Sequence, residues 1–204
     1  MSIFLIRHGE TALNAARVMQ PAATPLSPLG LRQASAVAHR LARLGPAAIV
    51  SSALPRALRT AEAIGAATGL PVATSALLQE RNFGDLRGLP YDTLGFDPLA
   101  MDAAPAGGES AAAFARRVGH AFEMLVALRA TLAGPLVVVT HGLLIRAILD
   151  TQVRLEAGVD RPARIANASL TIVAAQPPHA VALLDCTTHL GGGAHETAHS
   201  LSGG

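Results

Sequence analysis

The 204-residue chain has no lysine, no tryptophan and one cysteine, and aromatic residues amount to only 3%. The lone Cys186 excludes an internal disulfide framework and any cysteine-based zinc site. Charged residues make up 15%, too few for long charged disordered tracts. Without lysine, all 16 basic residues are arginine, so every side-chain cation except a protonated histidine is a planar, permanently charged fork. The net charge of +2 reflects near balance and not a basic stripe, and few aromatics are available to stack on bases. Both facts speak against a nucleic-acid partner. Long apolar runs are missing too. The run 2–6 stops at Arg7 and lacks the basic flank of a signal peptide, and the run 135–149 is interrupted at Thr140, His141 and Arg146. No stretch approaches the roughly 20 residues needed to cross a bilayer. A cytoplasmic protein with no membrane partner is expected.

What is abundant is Ala, Leu and Val, which together supply most of the 50% hydrophobic content. Residues 2–6, 47–51, 72–78 and 136–139 are short apolar runs, as expected of strands buried on both faces. Between them lie helical patterns. Ser27 caps a helix that begins at Pro28 and stops at Gly45, and residues 55–68 form a second, closed by Gly69. Residues 110–133 form a long Ala-rich helix, and 142–152 another. Residues 9–25 and 81–108 read as loop. Residues 170–174 and 181–185 read as two late antiparallel strands. Strands alternating with helices predict a three-layer α/β/α fold with a mostly parallel central sheet. One domain over 1–190 is expected, followed by a mobile tail over 191–204 that has no apolar period.

Ligands of such folds sit at the carboxyl ends of the strands. Four strand ends carry notable polar residues: Arg7-His8-Gly9, Ser51-Ser52, Gln79-Glu80 and Thr140-His141-Gly142. Arg7, His8, Arg56, Glu80 and His141 could therefore meet at one edge of the sheet. Arg7-His8-Gly9-Glu10-Thr11 after a buried strand resembles the signature of the histidine phosphatase superfamily, the phosphoglycerate mutase-like fold, and points to its small phosphatase branch. Residues 51–62, with Arg56, are similar to the family's second motif. Residues 78–88, with Glu80, resemble its acid-bearing loop. Residues 105–110 are similar to the segment before its long helix, and Thr140-His141-Gly142 to its second catalytic histidine. Five motifs stand in the family's order over nearly the whole chain.

The resemblance implies metal-independent hydrolysis of a small phosphomonoester through a phosphohistidine, with no cofactor. The chemistry of the residues agrees with it. A neutral imidazole attacks well if one nitrogen is bare and the other is held as a donor, and cations beside His8 oppose its protonation. Arg7 and Arg56 can grip the equatorial oxygens of a transferring phosphoryl group in bidentate fashion. His141, expected to be protonated, is a third donor. The N–H of Gly142 at a helix start is another. Asn14 corresponds to the family's early-loop asparagine that adds a neutral hydrogen bond. Glu80 is the expected acid for the leaving alkoxide and the later base for water. Asp85 and Glu109 are the fallback candidates for that role. Arg59, Arg116 and Arg117 are read as solvated helix faces.

Two rivals stand beside the phosphatase. A phosphoglycerate mutase shares the catalytic core but usually carries basic residues after the acid loop. Residues 89–107 contain no Arg or Lys, which argues for a less anionic substrate, although Arg81 beside Glu80 keeps the mutase open. The other rival is a non-catalytic regulatory protein that binds a phosphate ligand. The oligomeric state is open, a homodimer included. His195-Glu196-Thr197-Ala198-His199 matches the H-E-x-x-H zinc pattern. It lies in a Gly-rich tail with nothing to anchor a helix, so no metal site is expected.

Overall fold

The computed structural model describes residues 1–191. Six strands form one sheet: β1 (Ser2–Arg7), β2 (Ala48–Ser51), β3 (Val72–Thr74), β4 (Leu136–Thr140), β5 (Leu170–Ala174) and β6 (Val181–Cys186). The spatial order is β3-β2-β4-β1-β5-β6. The first four run parallel, while β5 is antiparallel to β1 and β6 antiparallel to β5. The helices are α1 (Ala12–Ala15), α2 (Pro28–Ala42), α3 (Pro55–Thr68), α4 (Ala111–Ala130) and α5 (Gly142–Thr151).

Alternation along the central strands divides the core in two. Ile3, Leu5, Leu136 and Val138 face α4 and α5, where they meet Val118, Phe122, Leu125, Leu144 and Ile148. Phe4, Ile6, Val137 and Val139 face α2 and α3, against Val37, Leu41, Ala57 and Ile64. The layered α/β/α architecture is thus the consequence of strands apolar on both faces. The caps follow the sequence: the Ser27 hydroxyl accepts from Gly30 N, and the Ser110 hydroxyl from Ala113 N.

Three segments differ from the sequence expectation. The third strand is only Val72–Thr74, because Ser75 caps a 3₁₀ turn, Ala76–Leu78, that ends it. The loop after β1 contains α1, capped by the Thr11 hydroxyl on Asn14 N. The loop after Glu80 contains three further 3₁₀ turns. The tail expected over 191–204, with His195 and His199, lies outside the described residues except for Gly191. No helix among the described residues is long and apolar enough to cross a membrane.

One close contact anchors the loop that leaves β1. A Cβ at Gly9 would lie 2.4 Å from Gly30 O, and a Cβ at Gly30 would lie 2.0 Å from Glu10 O. Only glycine lets the loop and the start of α2 meet backbone to backbone. Glu10 completes this joint: its N–H donates to Gln33 Oε1, its carbonyl accepts from Ser27 N, and its carboxylate accepts from the Ser27 hydroxyl. The acidic residue of the first motif is therefore a structural clamp.

Candidate active site

The β1–β4 register sets the site. Arg7 pairs with Thr140, so His8 and His141 leave neighbouring strands at the same level. Their rings are 5.1 Å apart, tilted by 60°, and both are fully buried. His8 Nδ1 lies 2.7 Å from the carbonyl of Gly9. A carbonyl can only accept, so Nδ1 carries the proton and Nε2 is bare. Nε2 has no hydrogen-bond partner among the described residues. The tautomer expected from the sequence is thus held by a backbone carbonyl. The His8 carbonyl in turn accepts from Asn167 Nδ2 and Ala168 N, at 3.0 and 3.2 Å.

Two guanidiniums flank the pair. Arg7 is 1% exposed and donates to the carbonyl of Ile165. Arg56 enters from the first turn of α3 and reaches the carbonyls of Pro21 and Ala22, at 3.5 Å each. Burial lowers both pKa values to about 10, which leaves both charged at neutral pH. Thr60 ties the second motif to the first, accepting from Gly9 N and donating to the Arg56 carbonyl. Asn14 Oδ1 accepts from Asn167 at 3.4 Å, and its Nδ2 has no partner among the described residues. Gly142 opens α5, where N–H groups lack intrahelical acceptors.

Glu80 reaches the same place by a different route. The Thr140 hydroxyl donates to Leu78 O at 2.7 Å and pins the acid loop to the end of β4. The Glu80 carboxylate then accepts from Leu143 N and Arg81 N, at 3.1 and 3.2 Å. Burial is the largest influence on it and raises its pKa, outweighing those hydrogen bonds and the Arg56 and Arg7 charges.

Four expectations need correction. His141 is not held as a cation. Burial, then Arg56, His8 and Arg7, push its pKa well below the ordinary value of 6.5. Its Nε2 lies 2.8 Å from the Ser52 hydroxyl, and a dianionic ligand is what could draw a proton onto it. Arg117 is not a solvated helix face. It donates to the carbonyls of Leu77, Gln79 and Glu80 and pairs with Glu109 at 2.7 Å, clamping the acid loop. Glu109 is thereby committed to Arg117, and Asp85 is exposed, so neither fallback acid is at the histidines. Arg81 gives no support to a mutase: its guanidinium is spent on the carbonyls of Leu99, Met101 and Glu109. Arg59 and Arg116 are indeed exposed. Sequence reasoning missed Ser52, Asn167 and Gln20. Gln20 accepts from the Thr11 hydroxyl and has an unpartnered, buried Nε2. Only the position of Ser52 at a strand end hinted at any of them.

The buried histidines make stability pH-dependent. Burial, then Arg56 and Arg7, hold the His8 pKa well below 6.5, as for His141. The unfolded chain therefore takes up protons first on acidification. The stability from keeping both neutral is present above pH 6.5 and lost as pH falls, by at most about 1.4 kcal/mol per pH unit for each group. Glu80, with a raised pKa, acts in the opposite direction above its unfolded value of 4.5. Thermal melts from pH 8 to 5 should show a falling Tm. The pH dependence should be shallower in His8→Asn and His141→Asn, and a Tm that holds constant in the wild type would contradict it.

These residues form a buried cluster of fixed cations and neutral donors around the bare Nε2 of His8, with a carboxyl of raised pKa in the same cluster. Such a set can bind a phosphoryl group, accept it and protonate a leaving oxygen. Comparison with known proteins gives the same class. A Yersinia pestis protein named "Probable phosphoglycerate mutase GpmB" is 36% identical over 183 residues, covering 85% of this chain and 84% of that protein. The structure of a mycobacterial glucosyl-3-phosphoglycerate phosphatase in complex with VO3 is 35% identical, with a TM-score of 0.72, over 85% of this chain and 90% of that one. Bacillus stearothermophilus YhfR is 27% identical, with a TM-score of 0.77, over 93% and 98%. The family model of the histidine phosphatase superfamily, branch 1, matches residues 3–184, and the chain belongs to that family of phosphoryl-transfer enzymes.

Proposed function

We propose that the protein hydrolyses a small phosphomonoester without a metal, by way of a phosphohistidine on His8. The observation that carries this reading is the buried Nε2 of His8, bare because Nδ1 donates to Gly9 O and kept unprotonated by burial and two guanidiniums. Nε2 attacks phosphorus, and the phosphorus–oxygen bond to the alcohol breaks. Glu80 gives its proton to the leaving oxygen. In the second half Glu80, now a carboxylate, takes a proton from the attacking water, and inorganic phosphate leaves. Arg7 and Arg56 hold the equatorial oxygens, joined by Asn14 Nδ2, the Gly142 N–H and His141. Fixed donors of this kind each supply about 2.7–4 kcal/mol of transition-state stabilisation and here take the role of a metal.

The curated relative named as a mutase supports a second reading, transfer of the phosphoryl group from His8 to a second phosphoglycerate hydroxyl. Absence of Arg and Lys over 89–107, and the commitment of Arg81 to loop carbonyls, favour water as the acceptor. The neighbouring phosphatase structure makes sugar and phosphoglycerate esters the first to try. A panel of phosphate esters with purified protein in EDTA separates the readings. Release of inorganic phosphate without a bisphosphate activator is expected. Turnover that requires the activator would establish the mutase, and turnover lost in EDTA and restored by zinc or magnesium would overturn the metal-free mechanism.

A further inference from the structure

The end of β1 is fastened by a stretch that none of the five motifs contains. The Ile165 carbonyl accepts from Arg7, and Asn167 and Ala168 donate to the His8 carbonyl. This loop is itself gripped at two points, by β6 and by the turn after it. The β5–β6 register shifts between the pairs Leu170–Cys186 and Ile172–Leu183, a bulge that places one extra residue in β6. Asp185 lies in it, with a left-handed φ of 45°. Bulges next to active sites re-aim a side chain. Here the Asp185 carboxylate accepts from Ala166 N at 2.9 Å. It is part-buried, and its charge attracts that of Arg7.

The second grip is His189. It stands in the 3₁₀ turn Thr188–Leu190, whose Leu190 joins the core cluster of Val37 and Leu41. His189 Nε2 lies 2.9 Å from the carbonyl of Ala168, and its Nδ1 lies 3.0 Å from Arg40 Nη1. A guanidinium only donates and a carbonyl only accepts, so Nδ1 accepts and Nε2 carries the proton. Ala168 is thus bonded on both sides, its N–H to His8 and its carbonyl to His189. Its φ is 53°, a value that a residue with a Cβ keeps only when its surroundings hold it there. Backbone outliers of this kind gather at functional sites. We propose that Asp185 and His189 are positioning residues for phosphoryl transfer: Asp185 sets the Arg7 guanidinium through Ala166 and Ile165, and His189 sets the His8 imidazole through Ala168. This rests on the reading of His8 as nucleophile and Arg7 as a phosphate grip.

Each acts through a different partner and so on a different constant. A loosened Arg7 binds phosphate less well, whereas a misaimed His8 attacks more slowly without binding less. The test therefore reads the inhibition constant of inorganic phosphate and the rate constant of His8 phosphorylation by saturating p-nitrophenyl phosphate, followed by rapid quenching. Neither constant depends on the fraction of molecules folded, which changes only the amplitude. Asp185→Ala is expected to raise the phosphate constant by roughly threefold to tenfold, the scale of one hydrogen bond, and Asp185→Asn, which keeps an acceptor for Ala166 N, to recover most of it. His189→Ala should slow phosphorylation by a similar factor and leave the phosphate constant unchanged. His189→Gln, whose amide can donate to the Ala168 carbonyl, should recover most of the rate. Arg40→Ala removes the donor to His189 Nδ1 from α2, leaves the sheet untouched, and should give a smaller loss of the same kind. Should an alanine variant at 185 or 189 fail to fold, Asp185→Ser and Arg40→Ala take its place. A lower amplitude or Tm with both constants unchanged makes the segment merely structural and overturns the proposal. Equal losses of both constants in both variants overturn the division between Arg7 and His8. A wild type that forms no phosphoenzyme overturns the proposal and the reading of His8 together.

Discussion

Rapid quenching of the protein with a ³²P-labelled phosphate ester is expected to trap a phosphoenzyme that is labile in acid and stable in base, the signature of a phosphorus–nitrogen bond. In His8→Ala the label should disappear and turnover should fall by roughly 10⁴–10⁶, the scale seen when a covalent nucleophile is removed. The expectation follows from one hydrogen bond. Gly9 O fixes the proton on Nδ1, so the bare nitrogen is Nε2 at every pH where the ring is neutral. Because burial and the two arginines keep the His8 pKa well below 6.5, that condition holds throughout the neutral range. His141 differs in its arrangement, with Nε2 engaged by Ser52 and Nδ1 the nitrogen without a partner. An acid-stable label, or an undiminished one in His8→Ala, would overturn the assignment. Should His8→Ala fold poorly, His8→Asn conserves volume and a polar group for the Gly9 contact.

Glu80→Gln should slow cleavage of alkyl phosphates by roughly 10²–10⁴, the usual contribution of general acid catalysis. The variant keeps the shape that Leu143 N and Arg81 N recognise but has no proton to transfer. An alkyl alkoxide is a poor leaving group and needs protonation as the bond breaks, whereas p-nitrophenolate leaves without help. Phosphorylation of His8 by p-nitrophenyl phosphate, read in the burst phase, should therefore fall much less. The burst is the informative measurement because Glu80 also serves dephosphorylation, which can come to limit the steady state. Equal losses in the phosphorylation step for both substrates would remove Glu80 as the acid. The structure leaves no ready replacement, because Glu109 is tied to Arg117.

The outline of the site was legible because its parts are local. An apolar run that ends in Arg7-His8-Gly9 describes a buried strand and its exposed edge within a few residues. The same holds for 136–142. What was not legible depends on contacts remote in sequence. Arg117 looks like any arginine on an Ala-rich helix, and only the packing of α4 over the acid loop gives it the carbonyls of residues 77–80. His141 was expected to be protonated, as a third donor to the phosphoryl group. Its state is decided by total burial beside two guanidiniums, a sum that no motif records. Asn167 carries no local signal, yet it binds the His8 carbonyl from 159 residues away. The third strand was drawn too long because Ser75 reads equally well as a strand residue and as a cap.

That last distance has a consequence for how the protein is made. Arg7 is anchored on Ile165, 158 residues further along the chain, and His8 on Asn167. The centre of the sheet likewise pairs residues 3–7 with 136–140. Contacts that close such long loops form slowly and late. In the order of synthesis His8 precedes by 159 residues the Asn167 that binds its carbonyl. A nascent chain that ends before Ile165 would carry His8, Arg56, Glu80 and His141 and still lack both carbonyl-loop anchors. The proposed phosphoryl transfer would thereby wait until residues 165–167 have been made.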